Sequence, residues 1–127
     1  MTKEDLKKRT KLFALRIIKM GKVIKADDVD KLLLKQLIRS ATSVAANYRA
    51  ALKAKSKKDF IYKLAIIEEE ADESYFWLEL MTEAEIVKPE KIASLTNEAK
   101  ELTAIFTAQG KTAKQNIQIA VSKIKSL

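Results

Sequence analysis

The sequence predicts an all-α protein, an antiparallel up-down-up-down four-helix bundle. Three observations lead there. Apolar residues recur at helical spacing: Leu34, Leu37, Ala41, Val44, Tyr48 and Ala51 step by 3, 4, 3, 4, 3, and Phe60, Leu64, Ile67, Ala71, Ser74, Leu78 and Met81 by 4, 3, 4, 3, 4, 3. That is the seam of helices packed nearly parallel or antiparallel. Two Gly and one Pro in 127 residues leave few turn signals, whereas regularly spaced strands need many. The balance of 47% hydrophobic and 33% charged residues suits a helical globular chain and not a disordered one. The length fits one domain, 1–127, able to hide about two-thirds of its unfolded surface.

The first helix is expected over about 3–20. Leu6, Phe13, Ile17 and Met20 form its apolar face, with Leu12, Leu15 and Ile18 beside them, and Gly21 would end it as a left-handed cap. The second runs over about 28–54 after an Asp27 or Asp28 cap, since either carboxylate can accept from the first free N–H groups. Its dense Ala from Ala41 to Ala54 favours helix and close approach. The third covers about 56–84, opened by Ser56 and Asp59 as a capping box. The fourth covers about 89–109, with Pro89 in the first helical position and Ile92, Leu95, Ala99, Leu102 and Phe106 as its seam. Beyond Gly110, residues 110–127 read as a helical extension, a separate short helix or a loose tail. The short connections at 21–27 and 85–88 demand antiparallel neighbours.

Composition excludes several functions. With no Cys and no His, thiol chemistry, the usual nucleophile–base triads and the commonest metal ligand are absent. A ferritin-like di-metal site in the bundle needs two Glu-x-x-His pairs, so no metal and no cofactor are expected. Catalytic residues are none, and no small-molecule substrate is indicated. No apolar run approaches the roughly 20 residues of a membrane span, and the first residues lack a cleavable leader pattern, so no membrane role and a cytoplasmic location are expected.

Charge is segregated. Net charge is +8 overall, but residues 1–63 hold 18 Lys/Arg and 6 Asp/Glu, 64–105 hold 3 and 11, and 106–127 hold 4 and 0. A basic block of this kind favours an anionic partner. The densest part is Arg49, Lys53, Lys55, Lys57 and Lys58 around the second turn, with Asp59 the one nearby acid. The first helix adds Lys7, Lys8 and Lys11 among Arg9, Arg16 and Lys19. Together Lys7, Lys8, Lys11, Arg49, Lys53, Lys55, Lys57 and Lys58 are the candidate nucleic-acid-binding residues. Without an interleaved aromatic platform, contact to phosphates fits better than base reading.

Polar residues also sit on the apolar seams, where burial is costly unless they are paired. Arg39, Ser43 and Asn47 recur every fourth residue on the second helix, and Glu70 and Glu73 lie in the stripe Ile66, Glu70, Glu73, Trp77, Leu80 on the third. Antiparallel packing would bring the two sets near each other, as a structural polar network in which Arg39 pairs with a carboxylate and Asn47 satisfies neighbouring groups. Glu68, Glu69 and Asp72 read as a solvated face. Of Tyr75, Phe76 and Trp77, about 100° apart, one must leave the core; Trp77 fits the core and Tyr75 or Phe76 a subunit interface.

The stretches LIRSATSVAANYRAA at 37–51 and KKDFIYKLAIIEEEADESYFWLEL at 57–80 resemble the four-helix-bundle family encoded in intervening sequences of bacterial 23S rRNA genes, which is related to accessory proteins of diversity-generating retroelements. The motif residues are Arg39, Ser40, Ser43, Val44 and Asn47, then Glu70, Ala71, Glu73, Trp77 and Leu78. Where the family usually carries a Glu after the Asn, this chain has Arg49-Ala50-Ala51. The resemblance implies a homo-oligomer, a ring-shaped pentamer, with no enzymatic activity and with RNA or DNA bound through a basic surface. The leading expectation is therefore a non-enzymatic oligomeric bundle binding RNA or DNA through phosphates. The alternative is a protein–protein interaction scaffold encoded by an intervening or mobile element with no nucleic-acid role.

Overall fold

In the computed structural model, which describes residues 1–127, four helices follow one another: α1 Lys3–Val23, α2 Asp28–Ala51, α3 Lys57–Glu83 and α4 Pro89–Lys125. Their starts have local causes. Thr2 and Asp5 form a reciprocal capping box at α1. The Asp27 carboxylate accepts from Asp30 N–H at 2.8 Å to open α2. Ser56 Oγ accepts from Asp59 N–H at 3.0 Å, but the Asp59 carboxylate reaches back to Lys55 N–H and not to the cap residue's own N–H. The expected box at α3 is thus displaced by one residue. Pro89 stands at the first turn of α4, where its missing N–H costs nothing.

The ends differ more from expectation. Gly21 does not cap α1: the helix continues to Val23 and no glycine has positive φ. The glycine instead permits close packing, since a Cβ there would lie 3.3 Å from a Leu34 methyl carbon of α2. Helix α2 stops at Ala51, three residues early, where i→i+3 bonds from Lys53 and Ala54 tighten its last turn. Helix α3 ends in a Schellman motif: Ile86 N–H bonds Met81 C=O and Glu85 N–H bonds Thr82 C=O, with Glu85 at φ 60°. Ile86 then folds against the core. The segment after Gly110 is a continuous extension of α4 to Lys125.

The helices pack in cyclic order, α1 on α2, α2 on α3, α3 on α4, with α4 and α1 closing the ring least intimately and no contact across either diagonal. This is the antiparallel up-down-up-down bundle. Both predicted seams are buried, with only their first residues, Leu34 and Phe60, partly exposed. One apolar cluster runs through all four helices, with Tyr48 against Phe106 at a 5.5 Å centroid separation near one end. Leu12 and Leu15, expected beside the apolar face of α1, are exposed. The apolar arc that a bundle helix buries is narrower than the arc the sequence offers. No helix is long and apolar enough to cross a membrane.

Two sets of substitutions follow from this packing. Phe106→Ala should cost about 3–5 kcal/mol in urea unfolding, whereas Ile124→Ala, on the exposed end of α4, should change stability by no more than about 0.5 kcal/mol. Glu85→Gly should raise stability by about 1 kcal/mol, because glycine removes the left-handed strain at that position; an unchanged or lowered midpoint would contradict the strain.

Candidate nucleic-acid interface

The polar network expected between α2 and α3 divides into two parts. Arg39 bridges both carboxylates, with Nη1 3.1 Å from Glu70 Oε2 and Nη2 2.6 Å from Glu73 Oε1. Trp77 Nε1 donates to the same Glu73 oxygen at 3.1 Å. These contacts fasten one edge of the α2–α3 interface, with Arg39 still 48% exposed and Glu70 17%. Ser43 and Asn47 stand apart: Asn47 Nδ2 donates to Ser43 C=O and Oγ within α2 and does not reach the carboxylates. The fully buried polar contact lies elsewhere, where Ser74 Oγ sits 2.9 Å from both Ser40 Oγ and Glu70 C=O, and Ser40 Oγ donates to Leu37 C=O. Ser40 is visible in sequence as part of the motif and Ser74 as a small residue in a seam, but their pairing depends on register.

Of the cations in the first block, some are consumed by the fold. Arg9 grips Glu98 through Nε at 2.9 Å and Nη2 at 2.6 Å, and Nη2 also meets Glu101 at 2.7 Å. Arg16 Nη2 donates to Ser94 Oγ at 2.8 Å. These long side chains span the loosest helix pair, α1–α4. Arg9 and Arg16 therefore belong to the closure of the bundle and not to a free basic face. Lys63 is taken by Asp59, 2.8 Å away, which holds that carboxyl below its ordinary range.

The eight candidate nucleic-acid-binding residues behave otherwise. Lys7, Lys8, Lys11, Arg49, Lys53, Lys55, Lys57 and Lys58 all reach solvent, Lys53 and its neighbours at the turn among them, and none takes part in a salt bridge. The antiparallel order puts the start of α1, the end of α2 and the start of α3 at one end of the bundle, so residues far apart in sequence share it. Lys7, Lys11 and Arg49 edge a groove between α1 and α2 floored by Ala14, Leu15, Ala45 and Ala46. Lys57 lies with Lys3, a cation that the charge pattern does not single out, around a depression formed by Leu52, Ala54, Ser56 and Phe60. Lys8 is exposed on α1 and lines neither concavity.

The acidic run on α3 forms no group that can hold a metal ion. Glu69 and Asp72 are exposed as expected, but Glu68 accepts from Thr107 Oγ1 of α4 at 2.8 Å and so is tied to the bundle. Among the three aromatics Phe76 is the one turned out, 49% exposed and edge-on to Trp77 at 5.0 Å. Tyr75 is half-buried beside Glu79 and Pro89 in a groove between α3 and α4.

Residues 3–108 match the family model described as the 23S rRNA-intervening sequence protein. The chain belongs to the 23S rRNA-intervening sequence protein family. Both segments that carried the resemblance, 37–51 and 57–80, lie inside the matched span. The chain is also similar to the crystal structure of a protein of unknown function from the S23 ribosomal protein family of Bacteroides thetaiotaomicron. That similarity has 34% identity and a TM-score of 0.80, over 87% of this chain and 99% of that one. The comparison with curated proteins returns no match. The family match stops two residues past Phe106, the last fully buried side chain of α4, so it covers the bundle and omits the end of its longest helix.

The Arg39 contact makes a pH-dependent prediction. Its hydrogen bond to Glu73, with a smaller contribution from Trp77, keeps that carboxyl below its ordinary value of 4.5. A carboxylate lowered in the folded state stabilises above its unfolded pKa and loses that contribution as pH falls through the folded value. Arg39→Met should therefore cost about 1 kcal/mol at neutral pH, the scale of a half-exposed ion pair. The gap between variant and wild type should close as the pH drops below 4.5. A gap that stays constant through that range would show that the ion pair contributes nothing.

Proposed function

We propose that this protein is a non-enzymatic, self-associating helical bundle of the cytoplasm that binds RNA or DNA through phosphate contacts at its basic end. The observation that carries the reading is the sorting of cations. The guanidiniums of Arg9 and Arg39 are neutralised by carboxylates inside the fold, while Lys7, Lys8, Lys11, Arg49, Lys53, Lys55, Lys57 and Lys58 are left in solvent and unpaired. Asp59, the nearest acid to the turn, is already engaged by Lys63. A cluster of free cations at one end releases counterions when it meets a row of phosphates, and this release drives sequence-independent binding.

The family description, which refers to an intervening sequence of 23S rRNA, accords with a protein that works near nucleic acid. Assembly as a ring of five, which the resemblance implies, would repeat the basic end and let weak contacts add. A second reading, a protein-interaction scaffold without a nucleic-acid role, draws on the exposed Phe76 and on Leu12 and Leu15, since aromatic and apolar side chains in water often mark contact sites.

The two readings separate in a binding titration. Wild type and a Lys53/Lys55/Lys57/Lys58→Ala variant are titrated against labelled RNA at several salt concentrations. Wild type should bind at low salt, and the variant's log–log salt slope should be shallower by roughly 0.9 for each phosphate it no longer neutralises. No binding at low salt, or equal binding by both proteins, would sink the phosphate reading. Light scattering gives the assembly number, and a monomeric mass would exclude the ring.

A further inference from the structure

Helix α4 outruns its neighbours. It ends at Lys125, seventeen residues past the family match. Ala108, Gln109, Thr112, Ala113 and Asn116 still wall a cleft with Lys3, Tyr48 and Phe60. From Gln118 onward every residue is exposed. The helical part of that arm, Gln118–Lys125, projects about 12 Å beyond the bundle at 1.5 Å per residue. The cleft fixes the end from which it leaves. Lys3 opens α1 and Phe60 lies in the first turn of α3, so the arm rises from the end that carries Lys53, Lys55, Lys57 and Lys58.

One side of the arm can be oriented from a single contact. Thr107 Oγ1 donates to Glu68 of α3, so that side of α4 faces α3. Stepping along the same side gives Lys111, Lys114, Gln118, Val121, Ser122 and Lys125, all within about 60° of Thr107 at 100° per residue. With Thr107 level with Glu68 on antiparallel helices, Lys111 and Lys114 run alongside the first turns of α3, and Gln118 comes level with Lys57. The stripe therefore begins where the basic turn stands and continues past it. Residues 106–127 contain four Lys and no Asp or Glu. Lys111, Lys114, Lys123 and Lys125 are exposed and make no salt bridge.

We infer that the end of α4 is a phosphate-binding arm for nucleic acid, with Lys111, Lys114 and Lys125 extending the contact surface of the α2–α3 turn along the ligand's backbone. This rests on the phosphate reading above and adds a second element to that surface. Apart from Val121 the stripe is cationic and polar, and the chain has no aromatic residue after Phe106. It therefore meets the sugar-phosphate backbone and does not stack bases. The adjoining flank of the arm, Ile117 and Ile124, continues the core side of α4 past its partners. An apolar groove on another protein is the rival occupant that the test must separate.

The test uses the full chain and an RNA duplex of about 20 base pairs, followed by fluorescence anisotropy between about 50 and 200 mM salt. Three variants are compared with wild type: Lys111/Lys114/Lys125→Gln, Ile117/Ile124→Gln, and the Lys53/Lys55/Lys57/Lys58→Ala turn variant. The Lys→Gln arm variant should weaken binding roughly tenfold at low salt and make the salt slope shallower by about 2–3, with helicity and unfolding midpoint unchanged. The Ile→Gln variant should bind as wild type does. Wild-type affinity and slope in the Lys→Gln variant, beside a weakened turn variant, would overturn the arm while leaving the turn intact. A weakened arm variant beside an unaffected turn variant would support the arm and overturn the turn. Loss of self-association in the Ile→Gln variant, with RNA binding indifferent to the three Lys→Gln changes, would assign the arm to protein docking instead. Failure of wild type to bind would overturn both.

Discussion

Packing Leu37, Ala41, Val44, Tyr48 and Ala51 of α2 against Leu64, Ile67, Ala71, Ser74, Leu78 and Met81 of α3 removes two continuous apolar stripes from water. Hydrophobic burial alone tolerates sliding of one such stripe along the other, since it is non-directional. The Ser40–Ser74 contact at the centre and the Arg39–Glu70/Glu73 contact at the edge do not tolerate it, because each needs one register. A small hydroxyl pair fits where a larger side chain would hold the helices apart. The carboxylates are half-shielded and cost energy if left unpaired. With that register set, the antiparallel order brings the α2–α3 turn, the start of α1 and the end of α4 together at one end.

The same register separates two uses of positive charge. Arginine other than Arg49 serves where geometry matters: Arg9 takes one carboxylate with two nitrogens and Arg39 bridges two carboxylates, which the planar guanidinium does well. Apart from Lys63, whose ammonium holds Asp59, lysine makes no ion pair, and at the basic end and along the arm it stands in solvent. There its compact mobile charge suits a row of phosphates without demanding one geometry. The cations paired across the helix interfaces are not those proposed to meet the ligand, so folding and ligand binding fall on different residues. A change at the basic end can then alter binding without disturbing the core.

The fold was readable because helix-period apolar spacing is a local property. The burial of Leu37 through Ala51 and Leu64 through Met81 follows the written stripes almost residue for residue. Helix ends were less readable. Gly21 looks like a cap, yet its environment is decided by Leu34, thirteen residues away. The left-handed position fell to Glu85, which nothing in its residue type announces. Of the polar network, Arg39 with Glu70 and Glu73 was legible from periodicity, because two stripes of opposite charge on neighbouring helices must meet. Asn47 was not, because a side chain four residues from Ser43 finds a partner within its own turn before reaching another helix.

For the candidate interface, composition and chain order by themselves determined that the first half is basic, that no Cys or His is available, and that Arg49 through Lys58 crowd one turn. They could not say which cations remain free. Arg9 and Arg16 look in sequence like Lys7 and Lys11, and only tertiary packing puts Glu98 and Ser94 within reach of the arginines while leaving the lysines unpaired. Nor could they say that the last basic residues share an end with the first. Local sequence dictates helix and face, because those depend on neighbours three and four residues away. Which charges cancel and which ends coincide depends on contacts between residues tens of positions apart, and these exist only once the bundle has closed.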